Sequence, residues 1–223
     1  MPQTASGELV IKMDQAKNHK LAIIFDFGNV LVDWDPRYLY RKLLDGDQAI
    51  EMFLDEIDFF AWNLEHDAGR PFDESIAEMC ARFPQYCDLI RAYDLRYEES
   101  ISGPIWPTVD VLRTLKDAGY PLYGLSNWPA DKYELVRPKY EFFSWFNDIV
   151  VSGKVRIAKP DPRIFEILLE RIGRPAQECI FIDDSPKNIA AAQQLGFQTI
   201  LFRSAGQLKQ DLSLFIDQEV FAG

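Results

Sequence analysis

IIFDFGNVLVDWD, residues 23–35, is a short apolar run that stops at an acid, Asp26, and turns at Gly28-Asn29. The run reads as a buried strand, and the acid as the residue at its tip. In α/β sheets, ligands gather at the carboxyl ends of parallel strands. The pattern of an apolar run followed by polar residues recurs at YPLYGLSN (120–127), DIVVSG (148–153) and ECIFIDD (178–184), with a further strand-like run at QTILF (198–202). Helical patterns lie between them. VDVLRTLKDAG (109–119) ends on Gly119; DPRIFEILLERIG (161–173) opens with Asp161 as N-cap and Pro162 at N1 and closes on Gly173; SPKNIAAAQQLG (185–196) repeats the device with Ser185, Pro186 and Gly196. Such caps mark helix ends. Strands alternating with capped helices predict an α/β fold, a doubly wound parallel sheet.

Residues 36–103 differ. PRYLYRKLL, QAIEMFLDEI, FDESIAEMCARF and CDLIRAYDLRYEES read as consecutive amphipathic helices. About 70 residues between the first two strands of the sheet is far more than a βα loop needs. The expected organisation is an N-terminal extension (1–18), a core domain (19–35 and 104–223) and an inserted helical cap (36–103). The insertion would stand over the strand tips, where a lid belongs. Trp34 and Trp62 are expected to pack it against the core.

The chain has 223 residues, 48% of them hydrophobic, so a sizeable core is available. Its net charge of −11 argues against nonspecific binding to nucleic acid or anionic membrane. No run of about 18 apolar residues suggests a membrane span, and residues 1–18 lack the apolar centre of a signal peptide. The three cysteines, Cys80, Cys87 and Cys179, form no CxxC pair. A disulfide framework or a zinc site is not expected, Cys80 and Cys87 are read as packing residues of one helix, and the odd count fits a reducing cytoplasm. Oligomeric state is not readable.

Four segments supply the chemistry: IIFDFGNVLVDWD, LSN (125–127), KPDPRIF (159–165) and FIDDSPKN (181–188). Gly28 and Asn29 suit a tight turn with free amides near a ligand. Ser126 and Asn127 end a strand, where they could cap a helix or hold an anion. Lys159, at a βα junction, could offset phosphate and carboxylate charge. Asp183 and Asp184 end a strand side by side and repel unless a partner intervenes. A hard cation bound by oxygens, such as magnesium, resolves that repulsion. Asn188 could orient the pair.

In order and spacing, DFGNVL, LSN, KPDPRIF and FIDD resemble the four motifs of the haloacid dehalogenase (HAD) superfamily of aspartate-nucleophile hydrolases. The resemblance covers residues 21–203, and the 36–103 insertion is similar to that family's helical cap of the first type. The nearest likeness is to the subgroup typified by α-D-glucose-1-phosphate phosphatase. The resemblance implies that Asp26 and Lys159 are catalytic, Asp26 as nucleophile. It implies that Asp26, the Gly28 carbonyl, Asp184 and Asp183 hold Mg2+, and that Gly28, Asn29, Ser126 and Asn127 bind the phosphoryl group of a small phosphorylated metabolite. In the cap, the connection 63–75 around Gly69 is expected to bring His66, Asp67 and Arg70 toward the substrate. Asp26-Phe27-Gly28 also spells a kinase metal motif, but no glycine-rich loop precedes it and no Walker loop is present.

Gly28 departs from the family pattern, which usually has an aspartate there as general acid and base. Three readings stay open. A phosphatase could protonate its leaving group through Asp33, Asp35, His66, Asp67 or water. A 2-haloacid dehalogenase also lacks that aspartate, but generally lacks the acidic pair. A non-catalytic module could retain magnesium and phosphate affinity.

Overall fold

The computed structural model describes residues 20–221; the expected extension at 1–18 lies outside them. Five strands, β1 (Ala22–Phe25), β4 (Leu122–Ser126), β5 (Asp148–Val151), β6 (Cys179–Asp183) and β7 (Gln198–Leu201), form one parallel sheet in the order β5-β4-β1-β6-β7. The first strand is central. Its side chains alternate between two apolar layers: Ile23 and Phe25 join one, Ala22 and Ile24 the other. A strand covered on both faces reads as a continuous apolar run, which is why residues 22–25 show no polar alternation.

Helices cover both faces. One layer includes Val109, Leu112 and Leu115 of α6 (Trp106–Asp117) with Leu208 and Leu212 of α11 (Ala205–Leu212). The other includes Ile164, Phe165 and Leu168 of α9 (Pro162–Ile172) with Ile189 and Ala192 of α10 (Pro186–Gln194). The caps of α9 are those expected: the Asp161 carboxylate accepts from the Arg163 amide, Pro162 starts the helix, and Gly173 closes it at φ +64°. Ser185 makes no side-chain cap bond to α10. Asp183 accepts from the Ser185 amide at 2.8 Å instead.

Between β1 and β4 the chain forms a helical block: α1 (Pro36–Tyr40), α2 (Asp47–Glu56), α3 (Phe59–Asp67), α4 (Phe72–Arg82) and α5 (Cys87–Leu95). An antiparallel pair, β2 (Val32–Trp34) and β3 (Ile101–Pro104), ties its two ends together. This ribbon was not anticipated, because its partners are distant in sequence and too short to show a period.

Two expectations are corrected here. Cys80 and Cys87 are joined by a disulfide. The turn at Pro84–Tyr86 brings α5 back beside the end of α4, with the two Cα atoms 4.5 Å apart. The bridge removes the support that the cysteine count lent to a reducing compartment. The aromatic partners of Trp62, namely Phe59, His66, Phe72 and Tyr93, all belong to the helical block itself. Among the described residues no helix is long and apolar enough to cross a membrane.

Candidate active site

Parallel pairing brings the tips of β1, β4 and β6 side by side. Phe25 is in register with Gly124 and Ile182, and the Asp26 amide continues the ladder to the Ile182 carbonyl at 2.9 Å. Asp26, Ser126 and Asp183 therefore meet at one edge, all buried.

Lys159 joins them from the loop before α9. Its Nζ lies 2.7 Å from Asp183 Oδ2 and 3.0 Å from Asp26 Oδ1, and donates to the Leu125 carbonyl at 2.8 Å. The Lys159 and Asp183 side chains are 0% exposed. Burial disfavours the charged amine, but the two carboxylates outweigh it and the Lys159 pKa is raised.

The three acids differ in what they have left to offer. Asp183 is fully engaged: Oδ1 accepts from the Ser185 amide, Oδ2 from Lys159, and the Asn188 amide donates to both oxygens at 3.0 and 3.1 Å. Asp26 Oδ1 accepts from the Phe27 amide at 2.6 Å and pairs with Lys159, while Oδ2 takes no hydrogen bond among the described residues. Asp184 is half-buried beside them. Ligand oxygens of Asp26, Asp183 and Asp184 lie within 4.8 Å of one another. Burial raises the Asp26 pKa most, Lys159 opposes that, and Asp183 and Asp184 add to it. The Asp184 carboxyl is raised by burial and by Asp183. One lysine does not neutralise three crowded carboxyls, and a divalent cation with oxygen preference fits the deficit.

Phe27 to Val32 form the turn. The Phe27 carbonyl accepts from the Leu31 and Val32 amides at 2.9 and 2.8 Å. Asn29 occupies the left-handed region at φ 56°, a conformation Asn tolerates, and its side chain accepts from the Trp34 amide at 3.3 Å. A Cβ placed on Gly28 would meet no atom within 4 Å. Gly28 faces open space.

That space is a cavity of about 60 Å³. Gly28, Asn127 and Trp128 line it from the core, Asn63, Asp67 and Tyr97 from the helical block, and Val32 and Trp34 from the ribbon side. Ser126 Oγ is buried at the adjoining strand tip without a hydrogen-bond partner. Native proteins rarely leave such a hydroxyl unsatisfied unless something binds it. The Asn127 amide is committed elsewhere: it donates to the Lys159 carbonyl and accepts from the Lys159 amide, at 2.9 and 2.8 Å.

Of the three residues expected to face substrate from the helical block, one lines this cavity. Asp67 does, with Asn63 one helical turn before it. His66 is rotated by about 100° from Asp67 on α3 and points into α4. Its ring stacks on Phe72 at 3.9 Å, Nδ1 contacts the Arg70 carbonyl at 3.0 Å and Nε2 contacts Ser75 Oγ at 3.2 Å. Burial lowers its pKa. Arg70 lies past the helix end and pairs with Glu65 and Glu78. Both line a separate groove with Gly153 and Arg156. Asn63, Tyr97 and Trp128 were not anticipated; the four-residue spacing of Asn63 and Asp67 was the available signal for Asn63.

Comparison with known proteins agrees with this architecture. A drimenol cyclase of Aspergillus calidoustus is 28% identical over 86% of this chain, which spans only 36% of that protein's length. A sesquiterpene phosphatase of Aspergillus oryzae is 27% identical, covering 78% of this chain and 86% of the relative. A HAD family enzyme of Bacteroides thetaiotaomicron, solved in complex with magnesium and inorganic phosphate, superposes with a TM-score of 0.61 at 23% identity, over 83% of this chain and 95% of the other. The haloacid dehalogenase-like hydrolase family itself matches residues 20–196. The chain belongs to the haloacid dehalogenase-like hydrolase family.

Proposed function

We propose that the protein is a magnesium-dependent phosphatase acting on a small phosphate monoester, a sugar phosphate in the simplest case, through an aspartyl-phosphate. The observation that carries this reading is the surplus of acid around buried Lys159: two buried carboxyls, a half-buried third and one amine beside an unpartnered serine hydroxyl. Asp26, the Gly28 carbonyl, Asp184 and Asp183 are the residues that would hold Mg2+, which supplies charge neutralisation when bound. Asp183, fully hydrogen-bonded within the protein, suits a supporting role more than a direct one.

Asp26 is the nucleophile in this reading. Phe27 and Lys159 fix Oδ1, and Oδ2 is left to attack phosphorus. Lys159 lowers the cost of bringing phosphate charge against buried carboxylates. Ser126 Oγ and the Gly28 amide, the one amide of the 27–32 turn without an internal acceptor among the described residues, hold the phosphoryl oxygens. Asn127 acts through Lys159, and the helical block serves as a cap that excludes water. Phosphoryl transfer needs mainly such positioning and charge stabilisation.

The test is turnover of 4-nitrophenyl phosphate with and without magnesium. Magnesium-dependent turnover that disappears in Asp26→Asn supports the reading. Metal-independent halide release from 2-chloropropionate would replace it with a dehalogenase, and magnesium binding without turnover on a broad phosphate panel with a binding module.

A further inference from the structure

We propose that Asp67, carried by the helical block, is the general acid and base that Gly28 cannot be. This rests on the phosphatase reading above and names the missing proton source. The family pattern places an acid at position 28. Here that position is bare, and the space over it is closed from the opposite wall by Asp67, Asn63 and Tyr97.

The other candidate side chains are engaged elsewhere. Both oxygens of Asp33 accept from the Tyr38 hydroxyl at 3.0 Å. Asp35 caps α1 and pairs with Arg37. Both ring nitrogens of His66 are occupied inside the helical block. Asp67 is the acid of the block that lines the cavity.

A hydrogen-bond relay also decides which Asp67 oxygen carries the proton. Tyr93 donates its hydroxyl to Asn63 Oδ1 at 2.6 Å. A hydroxyl can donate to the carbonyl end of the amide, so the NH2 end is turned to Asp67, and Asn63 Nδ2 donates to Asp67 Oδ2 at 3.1 Å. Oδ2 is thereby an acceptor. Oδ1, with no hydrogen bond among the described residues, is the oxygen free to hold a proton toward the cavity. The group is buried, with Lys159 the cation that acts on it and Tyr93 and Tyr97 its titratable neighbours. Burial pushes its carboxyl up to about 7, so it is protonated in a useful fraction near neutrality.

The chemistry balances. In the first half, Asp26 Oδ2 forms a bond to phosphorus as the bond from phosphorus to the leaving oxygen breaks. That oxygen takes the Asp67 proton, leaving as an alcohol. In the second half, water attacks the aspartyl-phosphate, Asp67 carboxylate takes a proton from it, and phosphate leaves with both acids restored.

Two near-isosteric substrates, 4-nitrophenyl and 4-methoxyphenyl phosphate, test this with the full-length protein and magnesium. The first leaving group needs no proton; the second does. In a single turnover, which reads only the first half, Asp67→Asn should slow release of 4-methoxyphenol by about 10²-fold or more, while release of 4-nitrophenol slows by less than about threefold. The retained nitrophenyl activity is itself the control for folding. Adding Gly28→Asp to Asp67→Asn, which the open space over Gly28 accommodates, should recover about tenfold or more of the lost rate. Equal losses on both substrates, or no loss on either, would overturn the assignment while leaving the phosphatase reading intact. Absence of turnover by the unaltered protein on both would overturn the two together.

Discussion

Asn127 and Lys159 bond to each other twice: Asn127 Oδ1 accepts from the Lys159 amide at 2.8 Å and Nδ2 donates to the Lys159 carbonyl at 2.9 Å. A side-chain amide thus stands in for a strand neighbour and fixes the backbone from which the lysine reaches Asp26. Asn127→Ala leaves the Lys159 amide and carbonyl without those partners. The expected cost is about 1–3 kcal/mol of stability, read by urea denaturation. The kcat should fall more than KM rises, because the lysine is displaced but Ser126, proposed to hold the phosphoryl group, is not.

Lys159→Met leaves Asp26 and Asp183 buried without a cation. Breaking a buried pair from one side costs about 3–5 kcal/mol. Magnesium can offset part of that by neutralising the same carboxyls. Thermal melts should therefore show a larger magnesium-induced rise in Tm for Lys159→Met than for the unaltered protein. An equal rise in both would detach the metal from this cluster.

Ser126 gives the opposite sign. Its hydroxyl is buried and unpartnered, so Ser126→Ala removes an unsatisfied polar atom. Stability without ligand should stay level or rise slightly. Inorganic phosphate should inhibit less well, and KM should rise. A drop in stability of the ligand-free protein would show instead that the hydroxyl has an internal partner.

Local signals made the sheet and α9 legible. Asp161, Pro162 and Gly173 act within one helix, and the apolar run of β1 needs no partner to be recognised. The same held for Asp26, Lys159 and the Asp183-Asp184 pair, each at a strand end or βα junction. What escaped was set by distant chain or by helix phase. Trp34 pairs with Ile101 across the whole helical block, and strands of three or four residues have no period to detect. The phase of α3 decides that Asp67 meets the cavity while His66 meets Phe72, and adjacency in sequence hides that 100° difference. Cys80 and Cys87 look like neighbours on a helix until the turn at 84–86 breaks it in two.

Magnesium binding should release protons. Burial, with Asp183 and Asp184, holds the Asp26 pKa above its ordinary value against the pull of Lys159. The metal-free site therefore keeps a proton that the cation must displace, and apparent magnesium affinity should rise with pH through the neutral range. The same shift fixes the sign for stability. Between the ordinary carboxyl pKa and the raised one, the folded chain binds more protons than the unfolded chain, so stability of the metal-free protein falls as pH rises. Asp67, raised by burial to about 7, adds to that slope between its ordinary value near 3.8 and about 7. Below pH 4 both contributions are fully present. Saturating magnesium should flatten the Asp26 share only, because Asp67 makes no hydrogen bond or ion pair with the acid cluster among the described residues. Titration calorimetry in buffers of differing ionisation enthalpy reads the proton release directly, and zero release at pH 6.5 would mean that Asp26 is already ionised in the metal-free protein.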